Sequence, residues 1–91
     1  MKKRAHIYYS GEVQGVGFRW TVERLASRGG VTGWVMNLDD GRVECLFEGD
    51  EKDILDIIEM VRKKFAAYIR DADIEWSDAK DEFGGFDIRF E

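Results

Sequence analysis

Apolar positions change their period along the chain, and each change predicts an element. Ala5, Ile7 and Tyr9 alternate with polar neighbours over residues 4 to 10, the period of a strand with one buried face. Phe18, Val22, Leu25 and Ala26 then recur at helical spacing, and Gly29-Gly30 after Arg28 supplies a stop. Extended character returns over Val31 to Asn37, Asp40-Gly41 signals a hairpin, and Arg42 to Glu48 forms the return strand. Asp50 is placed to cap a second helix, in which Ile54, Ile57, Ile58, Val61 and Phe65 make an i, i+3, i+4, i+7, i+11 stripe. Ala72, Ile74 and Trp76 alternate against acidic positions from Asp71 to Ser77, predicting a half-buried fourth strand. Phe86, Ile88 and Phe90 predict a short fifth.

Two strand-helix-strand halves joined by a hairpin, with one strand added, predict an α+β fold. Both helices then lie on one face of a mainly antiparallel sheet, a ferredoxin-like α/β sandwich. The 91 residues suit one domain, 1–91, with a single core. This topology carries many functions, so the fold alone decides none.

Composition narrows the classes. At 44% hydrophobic and 36% charged residues the chain is that of a soluble globular protein, with no apolar run near the ~20 residues a membrane span needs. Met1-Lys2-Lys3-Arg4 has the charge of a signal peptide, but Ala5 to Ser10 is too short and polar to continue one, so a cytoplasmic location is expected. The net charge of −5 argues against nucleic acid or anionic lipid as a partner. Arg62-Lys63-Lys64, the one concentrated basic run, suits the negative pole of the second helix. Cys45 and His6 are single, so one chain offers neither a disulfide nor a Cys/His metal cluster. Cys45 lies in the alternation Val43, Cys45, Phe47 and is expected to be a buried, unreactive thiol. His6 falls on the opposite strand face from Ile7 and receives no catalytic role.

Candidate chemistry concentrates where the first strand meets the first helix, at Gly11-Glu12-Val13-Gln14-Gly15-Val16-Gly17-Phe18-Arg19. Glycines permit positive φ, so successive N–H groups from Gln14 through Gly15, Val16 and Gly17 to Phe18 can turn inward beside a helix N-terminus. Arg19 in the first turn faces the positive pole of the helix, a liability of about 0.3–1 kcal/mol unless an anion sits between them. Taken alone, the glycines are more commonly explained by an ordinary tight connection between strand and helix. The loop lacks the Gly-Lys-Ser/Thr ending of a nucleoside triphosphate site and the spacing of a dinucleotide fingerprint.

Asn37, where the second strand meets its turn, has two readings. The commoner is a hydrogen bond to local backbone. The other is a neutral amide that orients water without repelling an incoming phosphate, as Asp would. Asp39 and Asp40 belong to the hairpin, Glu12 lies too near the loop for a comfortable general base, and no acid–base pair is assigned. Trp34, Trp76 and the phenylalanines are expected to pack in the core or on the sheet face.

The nine residues from Gly11 to Arg19 resemble the first signature of the acylphosphatases, G-x-V-Q-G-V-x-F-R, at every fixed position. Gly33-Trp34-Val35-Met36-Asn37, then Gly41-Arg42-Val43 and Gly49, resemble the second. The resemblance is close over residues 4 to 49 and extends in length and pattern to the rest. It implies a ferredoxin-like sandwich that hydrolyses the carboxyl-phosphate bond of a small acyl phosphate to carboxylate and inorganic phosphate. By position it implies that Arg19 and the backbone from Gln14 to Phe18 bind phosphate and that Asn37 orients the attacking water, with neither metal nor organic cofactor. A monomer is expected. Relatives often carry a Gly-Pro turn after the second helix, whereas this chain has Phe65-Ala66-Ala67-Tyr68 and no proline, which leaves that connection open. A module that binds a phosphorylated metabolite without hydrolysing it is the alternative. The larger maturation proteins with such a domain at their N-terminus are disfavoured, because the sequence stops at residue 91.

Overall fold

Seven elements follow in the order β1 (Lys2–Gly11), α1 (Phe18–Arg28), β2 (Thr32–Asn37), β3 (Val43–Asp50), α2 (Glu51–Lys64), β4 (Ile69–Asp78) and β5 (Phe86–Arg89). The computed structural model that carries them describes residues 1–90. The strands form one open sheet ordered β4-β1-β3-β2-β5, antiparallel except where β5 pairs parallel to β2. The expected ferredoxin-like α/β sandwich is the fold found.

One face of the sheet carries the alternation read from the sequence. Ala5, Ile7 and Tyr9 of β1, Val35 of β2 and Val43, Cys45 and Phe47 of β3 are buried against Phe18, Val22 and Ala26 of α1 and Ile54, Ile57 and Val61 of α2. Burial of each large side chain contributes roughly 1.5–3 kcal/mol. Truncating one as large as Phe47, which is fully buried, to Ala is expected to cost about 3–5 kcal/mol. Among the described residues no helix is long and apolar enough to cross a membrane.

Three expectations need correction. Asp50 precedes α2, but its side chain makes no capping hydrogen bond; Glu51 and Asp53 supply first-turn negative charge instead. Ala72 and Trp76 are exposed: of the two outer strands, β4 and β5, the helices leave β4 uncovered and pack mainly over β1, β2, β3 and β5. Phe90 lies just past β5 and is 78% exposed, outside the core that takes Phe86.

The connection after α2 closes without proline. The N–H groups of Tyr68 and Ile69 both donate to the Phe65 carbonyl, at 2.9 Å each, turning the chain directly into β4. The Tyr68 carbonyl in turn accepts the Glu12 N–H at 2.8 Å. Gly11 has φ of +124°, and a Cβ there would collide with that same carbonyl, so the start of the loop is held by close approach as well as by backbone conformation.

Candidate active site

The sheet register brings three strand ends together. Tyr9 of β1 and Asn37 of β2 both lie opposite Val43 of β3, so two strands separated by a third finish at one level. Because β5 runs parallel to β2, with Arg89 opposite Met36, it finishes there too. The ends of parallel strands in open α/β sheets are where ligand crevices form. Here the loop to α1, Asn37 and residues 88–90 meet at one edge.

Within the loop, side chains face inward and tie it down. Val13 is fully buried, Val16 packs on the core, and Phe18 sits between Tyr9 and Phe65, with ring centroids 5.1 and 4.8 Å away. The Gln14 amide donates through Nε2 to the Leu38 carbonyl at 2.8 Å and to the Arg42 carbonyl at 3.0 Å, lashing the loop to the β2–β3 hairpin. Gly15 and Gly17 both take left-handed backbone, φ +78° and +79°, with open space where a Cβ would be. It is conformation, not room, that these two glycines supply.

Gly17 begins α1 without a capping side chain, and the first turn carries no acid. The first intrahelical bond is Thr21 N–H to the Gly17 carbonyl at 3.1 Å, so helix geometry leaves the N–H groups of Phe18, Arg19 and Trp20 without intrahelical acceptors. A helix start of this kind beside a guanidinium favours an anion. The Arg19 guanidinium lies 5.1 Å from the centroid of the Phe90 ring.

A cavity of about 190 Å³ is lined by Val13, Gly15, Gly17, Phe18, Arg19, Trp20, Asn37, Ile88 and Phe90. A wider one of about 410 Å³ shares Arg19, Asn37 and Phe90 and extends past Gln14, Leu38, Asp39 and Arg89. Asn37 Oδ1 is buried and has no hydrogen-bond partner in the chain. Such an atom carries a desolvation cost of about 1–3 kcal/mol that a water or ligand would relieve. The structure therefore brings Gly15, Gly17, Phe18, Arg19 and Asn37 to one cleft, whereas Gln14 and Val16 anchor the loop through their side chains.

Of the remaining polar residues, Asp39 and Arg89 border the wider cavity, while Glu12, Asp40, His6 and Cys45 lie away from the cleft. Asp40 accepts the Arg42 N–H at 3.1 Å and its Nε at 2.8 Å, bonds that hold its carboxyl below the usual range. His6 pairs with Glu44 at 2.6 Å, and Cys45 is buried, which pushes its thiol pKa up. Among the described residues no group of three His, Cys, Asp or Glu side chains is arranged to hold a metal ion. Sequence reasoning missed Trp20, Ile88 and Phe90 as walls of the cleft. For Ile88 and Phe90 the signal was the parallel pairing of β5, which alternation alone does not reveal; for Trp20 it was its place beside Arg19 in the first turn of α1.

A ferredoxin-like sandwich with an uncapped helix start, an arginine and an asparagine gathered at one sheet edge is the class these features define. The acylphosphatase family model matches residues 5–88. An acylphosphatase of Haloarcula marismortui is 42% identical over 88 residues, covering 96% of each chain. One of Syntrophobacter fumaroxidans is 40% identical, covering 98% of this chain and 93% of that one. The crystal structure of acylphosphatase from Bacillus subtilis superposes with a TM-score of 0.88 at 36% identity, covering 96% of this chain and 98% of that one. The chain belongs to the acylphosphatase family, and it is an enzyme of that family, with a small acyl phosphate as substrate and phosphate as a product.

Proposed function

We propose that acyl phosphate hydrolysis takes place in the cleft between the start of α1 and the end of β2. The phosphoryl oxygens are held by the N–H groups of Gln14, Gly15, Val16, Gly17 and Phe18 and by Arg19, and Asn37 orients the water. The observation that carries this reading is the buried, unpartnered Asn37 Oδ1 in the same cavity as Arg19 and the uncapped helix start. An acceptor so placed takes one O–H of a water and leaves a lone pair on that water free for phosphorus.

The chemistry asks little more of the protein. Water attacks phosphorus, the bond from phosphorus to the carboxyl oxygen breaks, and the leaving group is a carboxylate. A leaving group this stable needs no proton, so positioning and charge stabilisation carry the step, and a phosphoryl oxygen takes the proton of the water. Arg19 spreads charge over the equatorial oxygens, and its guanidinium geometry allows two parallel contacts. All of these groups come from one chain, so a monomer suffices, acting as a single domain in the cytoplasm.

Hydrolysis of benzoyl phosphate in excess chelator tests the reading. Wild type is expected to turn over with full activity. Arg19→Ala should weaken both phosphate inhibition and kcat, and Asn37→Ala should lower kcat by about 10²-fold or more with little change in KM. Variants that match wild type would refute the residue roles. Saturable phosphate binding without turnover would mark a binding module instead.

A further inference from the structure

Five of the twelve Phe, Trp and Tyr rings are committed to the interior. Tyr9, Phe18, Phe47, Phe65 and Phe86 are all buried. Trp20 and Phe90 are not: they are 59% and 78% exposed, and both line the smaller cavity beside Arg19 and Asn37. Neither ring is needed to close the core. Each is steadied by a cation, Phe90 by Arg19 at 5.1 Å and Trp20 by Arg24 at 4.7 Å, contacts that fix the orientation of a ring while leaving much of its surface open.

The two cavities of the cleft differ in chemistry. The wider adds the charged Asp39 and Arg89, the smaller adds Trp20 and Ile88, and Phe90 lines both. A phosphoryl group seated on the N–H groups at the start of α1 must send its acyl group into one of them. An acyl group that leaves as a carboxylate needs no cation from the protein before the bond breaks. What it can gain on the way in is burial of its apolar surface.

We propose that Trp20 and Phe90 bind the acyl group and set a preference for aromatic or branched apolar acyl phosphates over acetyl phosphate. This rests on the hydrolytic reading of the cleft given above. The Phe90 ring lies beside the Arg19 guanidinium, so the acyl and phosphate subsites adjoin. Trp20 immediately follows Arg19 on α1, so the same helical turn supplies both subsites.

The test is kcat/KM for benzoyl phosphate and for acetyl phosphate with wild type, Trp20→Ala, Phe90→Ala and the double variant, with inorganic phosphate inhibition measured in parallel. Both rings are exposed, so the variants are expected to melt close to wild type. The benzoyl-to-acetyl ratio should fall by about tenfold in the double variant, mainly through KM for benzoyl phosphate, while the phosphate inhibition constant changes less than about twofold. Phe90→Leu should restore part of the ratio. An unchanged ratio in an active enzyme would overturn the acyl subsite and leave the hydrolytic reading standing, as would a phosphate inhibition constant that rises in step with KM. Hydrolysis of neither substrate by wild type would overturn both.

Discussion

Glu48→Gln perturbs the one acidic or basic side chain among the described residues that the fold buries almost completely. Glu48 is 4% exposed, and its carboxylate accepts Arg4 Nε at 2.9 Å, the Lys80 N–H at 3.0 Å and the Asp81 N–H at 2.8 Å. Through these bonds β3 holds the segment that leads into β5, so the residue supports the wall of the cleft from a distance. Glutamine keeps the volume but loses the charge, and its NH₂ is forced against at least one donor. One orphaned donor costs about 1–3 kcal/mol, and breaking a buried pair with Arg4 about 3–5 kcal/mol, so a net loss of about 3 kcal/mol is expected. For a domain of this size that lowers the thermal midpoint by roughly 12–24 °C, at about 4–8 °C per kcal/mol. The acid limb gives an independent readout. Burial pushes the Glu48 pKa up, but the Lys80 N–H, Arg4 and the Asp81 N–H outweigh it and hold the carboxyl below its ordinary 4.5. Its stabilisation is therefore fully present above the unfolded value and is lost as pH falls through the lower folded one. Urea unfolding followed by tryptophan fluorescence from about pH 3 to 7 should show a shallower acid loss in Glu48→Gln than in wild type. A loss below about 1 kcal/mol at neutral pH, with an unaltered acid limb, would refute the reasoning.

Gly17→Ala meets no neighbour but forces a Cβ into left-handed backbone. It should cost about 1–2 kcal/mol in urea unfolding and raise the phosphate inhibition constant, because the N–H groups at the start of α1 are re-aimed. Gln14→Leu deletes two hydrogen bonds to the hairpin and should cost about 1–3 kcal/mol, and KM for benzoyl phosphate should rise as the loop and Asn37 lose their common anchor. Cys45 is fully buried, so alkylation by iodoacetamide should be negligible in buffer and should follow the unfolding transition in urea; rapid labelling of the native protein would contradict this.

The elements were legible wherever burial is one-sided. Val43, Cys45 and Phe47 or Ile54, Ile57 and Val61 have to face a core, and their periods alone distinguish strand from helix. The edge strand misleads for the same reason. Ala72 and Trp76 alternate with acids as a half-buried strand does, but no helix covers them, and alternation does not say which strand lies outermost. Asp50 has the type and place of a cap and does not act as one, since a cap depends on a side-chain rotamer that sequence does not encode. Of the site, Arg19, Asn37 and the glycines could be read because their chemistry is unusual where they stand. Glu48 was hidden, because a glutamate at a strand end reads as surface until the segment from Lys80 is seen folding over it.

The loop from Val13 to Phe18 divides its work in a way that explains why recognition falls to the backbone. Val13, Val16 and Phe18 pack into the core, and Gln14 is spent on the hairpin carbonyls, so no side chain between Gly11 and Arg19 keeps a free polar group except the exposed Glu12, which does not line the cleft. What remains free is the row of N–H groups and the helix start, whose positions are set by those buried anchors rather than by flexible side chains. A chain with a net charge of −5 repels anions at long range, so attraction must be short-range and geometric. A single arginine beside fixed N–H dipoles meets that requirement. It also makes the site sensitive to core packing: a cavity at Phe65, which does not line the cleft but packs its ring 4.8 Å from that of Phe18, shifts the loop and should reduce turnover before it unfolds the protein.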